Sequence, residues 1–207
     1  MTRYTIRSVK LALFSAALLA LPSCSDNTPP PKTERTQTKT QEPGVPGSIA
    51  VDTTTITANV VSVFGNTREV VLDGPDGKRE VVTCGPAVVN FDQIRAGDQV
   101  KVVLTKEVAI AMGTESDPPD SSGGAVVALA AKGEQPGAVM ATVKQVTATV
   151  TDIDLGHHTA TLLFPDGETR KILVRHDVDL IQRKVGEKVV IRKTNSMALR
   201  VEKPQKQ

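Results

Sequence analysis

The sequence predicts an all-β protein made of two tandem five-stranded small barrels, of the OB or SH3-like kind, set behind a disordered tether. Three observations predict it. Short segments recur in the same order in the two halves of the chain, apolar residues within them alternate with period two, and turn residues punctuate each run. Thr57-Ala58-Asn59-Val60 returns as Thr147-Ala148-Thr149-Val150, and Leu72 to Gly77 (LDGPDG) returns as Leu162 to Gly167 (LLFPDG), both at an offset of 90. After a one-residue deletion, Asn90 to Val100 aligns with Asp179 to Val189, and Val108-Ala109-Ile110 then matches Met197-Ala198-Leu199.

The chain opens with Arg3, Arg7 and Lys10, followed by the apolar stretch Leu11 to Leu21, about half the ~20 residues a spanning helix needs. That pattern predicts a signal peptide over residues 1–23. Leu21-Pro22-Ser23-Cys24 resembles the lipobox of bacterial lipoproteins, with Leu at −3, a small Ser at −1 and Cys at +1. The resemblance implies diacylglycerol on the Cys24 sulfur, cleavage before it and a third acyl chain on the new amino terminus. Two or more chains make attachment to a membrane stable where one is marginal. Ser25 at +2, in place of Asp, points to the outer rather than the inner membrane.

Residues 24–50 are rich in Pro, Thr, Lys and Gln and nearly free of bulky apolar side chains, the composition of a disordered tether. Fully extended, such a tether would hold the folded part as much as ~75 Å from the bilayer.

The first barrel is predicted over residues 51–113. Thr54 to Val63 is β-rich, Thr67 to Asp73 alternates, and Gly74-Pro75-Asp76-Gly77 reverses the chain into Lys78 to Cys84. Asn90 to Ile94 reads as a single helical turn, before a fourth strand with Val100, Val102 and Leu104 and a fifth with Val108, Ile110 and Met112. Residues 114–141 form a linker in which Ala125 to Ala131 is apolar enough to add a strand. Residues 142–204 repeat the barrel. Closure would remove exposed strand edges.

Composition narrows function. The whole chain carries 25 Lys+Arg against 23 Asp+Glu, and the leader takes three positives and no acids, leaving a net charge of −1. Nucleic acid is therefore not an expected partner. With Tyr4 and Phe14 in the leader, the rest keeps Phe64, Phe91 and Phe164 and no Trp, too few aromatics for stacking grooves or cation cages. Lipidation of Cys24 leaves Cys84 without a partner in its own chain, so it is expected as a buried thiol ending a strand.

The chain shows no Gly-x-Ser-x-Gly, His-Glu-x-x-His, glycine-rich phosphate loop or Cys-x-x-Cys, and no catalytic residues or cofactor are predicted. Asp73, Asp76 and Asp166 belong to turns, where backbone geometry explains them. Adjacent His157 and His158 are the candidate ligands of an alternative, metal-carrying reading; small envelope copper chaperones, similar in general strand pattern, ligate copper through His and Met.

Ala58 to Val63, Val71 to Gly77, Asn90-Phe91-Asp92-Gln93-Ile94 and Gly97-Asp98-Gln99-Val100 together resemble a family of uncharacterised proteobacterial envelope proteins. The resemblance covers both copies and implies a periplasmic β protein with no known activity. The second copy departs from the pattern, with Leu180-Ile181 for Phe91-Asp92 and Glu187 for Asp98. The reading that follows is a lipid-anchored, non-enzymatic envelope protein acting as a binding or adaptor module, with an envelope protein as its partner. Asn90, Phe91, Asp92 and Gln93 form the candidate interaction loop, with Phe91 also able to serve as a core plug. The alternative is a periplasmic carrier of a metal or small ligand.

Overall fold

The structure, a computed structural model, describes residues 29–117 and 122–204; the signal peptide expected over residues 1–23 and the expected lipidation site Cys24 lie outside the described residues. Among the described residues ten strands form one antiparallel sheet. The first copy supplies β1 (Lys32–Thr40), β2 (Gly47–Phe64), β3 (Glu69–Asp73), β4 (Arg79–Thr83) and β5 (Gln99–Met112). The second supplies β6 (Ser122–Leu129), β7 (Gly137–Asp154), β8 (Thr159–Leu163), β9 (Thr169–Leu173) and β10 (Lys188–Glu202). Strand order is β4-β3-β2-β5-β10-β7-β8-β9, with β1 paired to β2 and β6 to β7.

Two closed barrels do not form; the sheet is open and shared by both copies. The predicted fourth and fifth strands of each copy are one continuous strand, β5 or β10. Closing a barrel would need a reversal between them, but Thr105-Lys106-Glu107 and Thr194-Asn195-Ser196 contain neither Gly nor Pro and continue as extended backbone. Each long strand therefore stays paired with β2 or β7 of its own copy along nearly its whole length and pairs with its counterpart on the other edge. Lys106 lies opposite Asn195, its own equivalent, and the pair Val100–Val201 mirrors Met112–Val189, so an approximate twofold axis passes between β5 and β10. The two copies are thus joined edge to edge through the β5–β10 ladder, and the far end of each long strand reaches the core of the other copy.

The shared ladder decides where the cores sit. Val100, Val102 and Met112 of β5 share one face with Val189, Ile191, Leu199 and Val201 of β10, because side chains alternate with period two and these residues pair across the ladder. Two lobes rise from that face at opposite ends of the central strands. The first core gathers Val60, Val70, Phe91, Ile94 and Val100 with Val201 from the other copy; the second gathers Ala148, Val150, Leu162 and Val189 with Met112 packed against it. Cys84 is a free, half-buried thiol against the first core, and burial pushes its pKa up.

A second difference concerns the tether. Lys32–Thr40 pairs with Thr57 to Ile49 of β2, so the disordered stretch predicted to residue 50 contains a strand. Its side chains are exposed throughout, which is why no apolar pattern announces it. Backbone pairing holds it, supported by Asp52, which accepts from Arg35 Nε at 2.9 Å and Gln37 Nε2 at 3.2 Å. These bonds, Arg35 first, lower the Asp52 pKa to about 2. β6 is the equivalent strand of the second copy and occupies part of the predicted linker.

Candidate second-lobe cavity

The two lobes share a backbone plan: a β-hairpin (β3–β4 or β8–β9), a 3₁₀ turn (Phe91–Gln93 or Leu180–Gln182) and a glycine reversal into the long strand. They differ in how the space beneath the 3₁₀ turn is filled.

In the first lobe it is filled by a large side chain. Phe91 is 2% exposed and Ile94 4%, and both belong to one contiguous cluster with Val60, Val70 and Val100. The Arg68 guanidinium stacks on the Phe91 ring, 4.6 Å from its centroid, and donates to the carbonyls of Cys84 (3.0 Å), Gly85 (3.1 Å) and Val88 (2.8 Å). Asp98 is buried and its Oδ2 accepts from the Arg95 backbone N–H and Lys203 Nζ, each at 2.8 Å.

In the second lobe Val150 and Val189 keep the valines of Val60 and Val100, but five of the groups are replaced. Leu180 stands for Phe91, Ala160 for Val70, Arg183 for Ile94, His158 for Arg68 and Glu187 for Asp98. The first two exchanges remove carbon, and the third brings in a guanidinium that keeps contact with water. Val178 and Leu180 remain buried yet lie outside the cluster of Val150, Leu162 and Val189. Between the two groups lies a half-open cavity of about 260 Å³, lined chiefly by apolar side chains including Ile153, Ala160, Leu162, Ile172 and Leu180. Its polar points are few. Glu187 Oε2 is buried with no hydrogen-bond partner, and Glu187 Oε1 stands 3.9 Å from Arg183 Nη1.

One wall comes from the first copy. The β1–β2 loop crosses to the second lobe, where Arg175 donates to the carbonyls of Glu42 (2.9 Å), Val45 (3.2 Å) and Gly47, and Asp177 accepts from the Gly44 N–H at 3.0 Å. The Arg175 side chain, with the Gly44 N–H second, holds the Asp177 carboxyl well below the usual carboxylate range. Pro46, Gly47 and Ser48 then line the cavity beside Ile110 to Met112. Gly47 is required by this approach: its φ is +119°, and a Cβ there would stand 2.3 Å from the Ile110 carbonyl oxygen.

The equivalent β6–β7 loop crosses to the first lobe, held by a neutral clamp. Asn90 Nδ2 donates to the Ala131 carbonyl at 2.7 Å and Asn90 Oδ1 accepts from the Gly133 N–H at 3.0 Å. Asp179, the counterpart of Asn90, instead caps its own 3₁₀ turn by accepting from the Ile181 N–H at 2.9 Å.

The candidate interaction loop is thus divided. Asn90 and Phe91 are buried, Asp92 is exposed, and Gln93 is half-buried with its carbonyl accepting from Lys203 Nζ at 2.9 Å. The adjacent histidines also diverge. His157 is exposed and its Nδ1 pairs with Asp154 Oδ2 at 2.8 Å; His158 adopts φ 54°, as Arg68 adopts 55°, and its Nε2 donates to the Arg175 carbonyl at 3.0 Å. His158 stacks on His176 with ring centroids 5.1 Å apart. Among the described residues no group of three or more His, Cys, Asp or Glu side chains converges as metal ligands would. Sequence reasoning passed over the cavity-forming residues Ala160, Arg183 and the strap residue Gly47; the aligned pairs Val70/Ala160 and Ile94/Arg183 were the signal.

No family model, no curated protein and no solved structure matches the chain.

Proposed function

We propose that the protein is a non-enzymatic binding module, held on the periplasmic side of a bacterial membrane by lipid on Cys24, whose second lobe receives a small apolar ligand or an apolar side chain of a partner. The observation that carries the reading is the cavity of about 260 Å³ at a position that the same backbone fills in the first lobe. Ligand pockets are mostly apolar, with a few placed polar groups, and Glu187 and Arg183 supply those here. An apolar void of this size would destabilise a closed, dry core by ~6 kcal/mol on the scaling of core-cavity mutants; the open mouth admits water and lowers that cost. The outer membrane, read from Ser25, is the proposed address, and an envelope protein is the proposed partner.

The reading unites the binding-module expectation with the small-ligand side of the carrier alternative. Its test is titration of the apolar fluorescent probe N-phenyl-1-naphthylamine into the mature chain and into the double variant Ala160→Val, Leu180→Phe. Saturable binding to the first, lost in a folded double variant, supports the second lobe as the ligand seat. Equal binding by the two would remove the cavity from the function. Crosslinking in intact cells, with Cys24→Ala as the unanchored control, tests the membrane address and the protein partner.

A further inference from the structure

We infer that the first lobe is the membrane-facing pole of the molecule and that the cavity is carried at the opposite pole, where it takes its ligand from the periplasm and not from the bilayer. The inference rests on the lipidation of Cys24 proposed above.

Three observations lead to it. First, the chain is pinned to the first lobe as soon as it enters the structure. The Pro29 carbonyl accepts from Asn59 Nδ2 at 3.1 Å and from Gln99 Nε2 at 3.0 Å, and these two amides are themselves joined at 2.9 Å. Pro31 then lies against the tip of the β3–β4 hairpin, in a shallow recess with Asp73, Pro75 and Arg79. Second, Cys24 and Pro29 are five residues apart in sequence. Whatever conformation those residues take, they span at most about 18 Å. A leash of that length replaces the ~75 Å reach of a disordered tether running to residue 50, because residues 32–40 are committed to β1.

Third, the cavity sits at the other end of the long strands. Val100 of β5 and Val201 of β10 mark the first core, whereas Met112 and Val189 mark the second. Those ends are twelve residues apart on β5, roughly 40 Å at the rise of an antiparallel strand. β1 also runs from the first lobe toward the second, with Lys32 opposite Thr57 and Thr40 opposite Ile49, so the chain leaves the anchor heading away from it. The leash is shorter than the distance between poles, and it is tied to one of them. Acyl chains on Cys24 would therefore enter a bilayer within that reach of the first lobe.

The experiment places one fluorescent donor at either pole of the full lipidated protein. In a Cys84→Ser background, Lys78→Cys and Glu168→Cys occupy equivalent exposed positions at the tips of the β3–β4 and β8–β9 hairpins. Each labelled protein is reconstituted into vesicles of phosphatidylethanolamine and phosphatidylglycerol carrying a headgroup acceptor. Transfer from the Lys78→Cys site is expected to be several-fold stronger than from the Glu168→Cys site, and a long Gly/Ser insertion after Ser25 should erase the difference while the protein stays bound. Equal transfer, or stronger transfer from the Glu168→Cys site, in a membrane-bound protein overturns the orientation and leaves lipidation standing. A difference that survives the insertion overturns the leash as its cause. If the protein floats no better with the vesicles than Cys24→Ala does, the lipidation reading fails and the orientation falls with it.

Discussion

The two lobes are built on one backbone plan and differ in their centres. In the first, Phe91 and Ile94 close the space under the 3₁₀ turn and a buried amide fastens the crossing loop. In the second, Leu180 and Ala160 leave that space open and a partly exposed ionic pair, Arg175 with Asp177, fastens the loop. A duplicated fold thus tolerates a hollow copy when the other copy is well packed, because the shared β5–β10 ladder joins them into one sheet. The first lobe is the more fully packed half and the second the more open one.

The sharpest way to break this comparison is to truncate the equivalent plugs. Phe91→Ala should cost about 3–5 kcal/mol, since a full ring leaves a packed core, whereas Leu180→Ala should fall near the low end of the leucine range, about 2 kcal/mol, because its site is already open. Urea unfolding of the mature chain measures both; equal losses would show that the second lobe is as tightly packed as the first. Next in size is the clamp. Asn90→Ala removes two hydrogen bonds that a buried side chain makes to the Ala131 carbonyl and the Gly133 N–H of an exposed loop and should destabilise by about 1–2 kcal/mol, with amide exchange at Gly133 rising most.

Filling the cavity should act in the opposite direction. Ala160→Val together with Leu180→Phe is expected to raise stability by about 1–2 kcal/mol, visible as a higher melting temperature; a lower one would mean that the cavity walls are rigid and overpacked by the new carbon. The smallest effect separates the two crossing loops by pH. Because the folded Asp177 carboxyl lies below its ordinary value of 3.8, its contribution is complete above that pH and is lost as the pH falls below it. The Gly44 amide resonance should move through that acid range by more than that of Gly133, whose own acceptor is the neutral Asn90 amide although the adjacent Glu134 carboxylate accepts from the Ala131 N–H. Parallel shifts at both loops would show that acid loosens the whole sheet.

Much of the fold was legible because its signals are local. The GPDG and FPDG turns, the two short hairpins and the helical turn at Asn90 to Ile94 all stand where turn chemistry and period two put them. Strand β1 was not legible: KTERTQTKT has no apolar residue, since both of its faces meet water, and only pairing with β2 makes it a strand. The replacement of Phe91 by Leu180 was visible in the repeat alignment, but an alignment does not say whether neighbours close in over a lost ring.

The sequence by itself determined the all-β class, the duplication, the turns and the leader pattern ending at Cys24, since each depends on residues near one another along the chain. Only the tertiary structure decided that β5 and β10 each run on as one straight strand and join the two copies in one sheet, and that one core is full and the other hollow. Those outcomes depend on partners far apart in sequence. Thr105-Lys106-Glu107 is compatible with either a bend or a straight strand, and the counterpart strand opposite it fixes the choice.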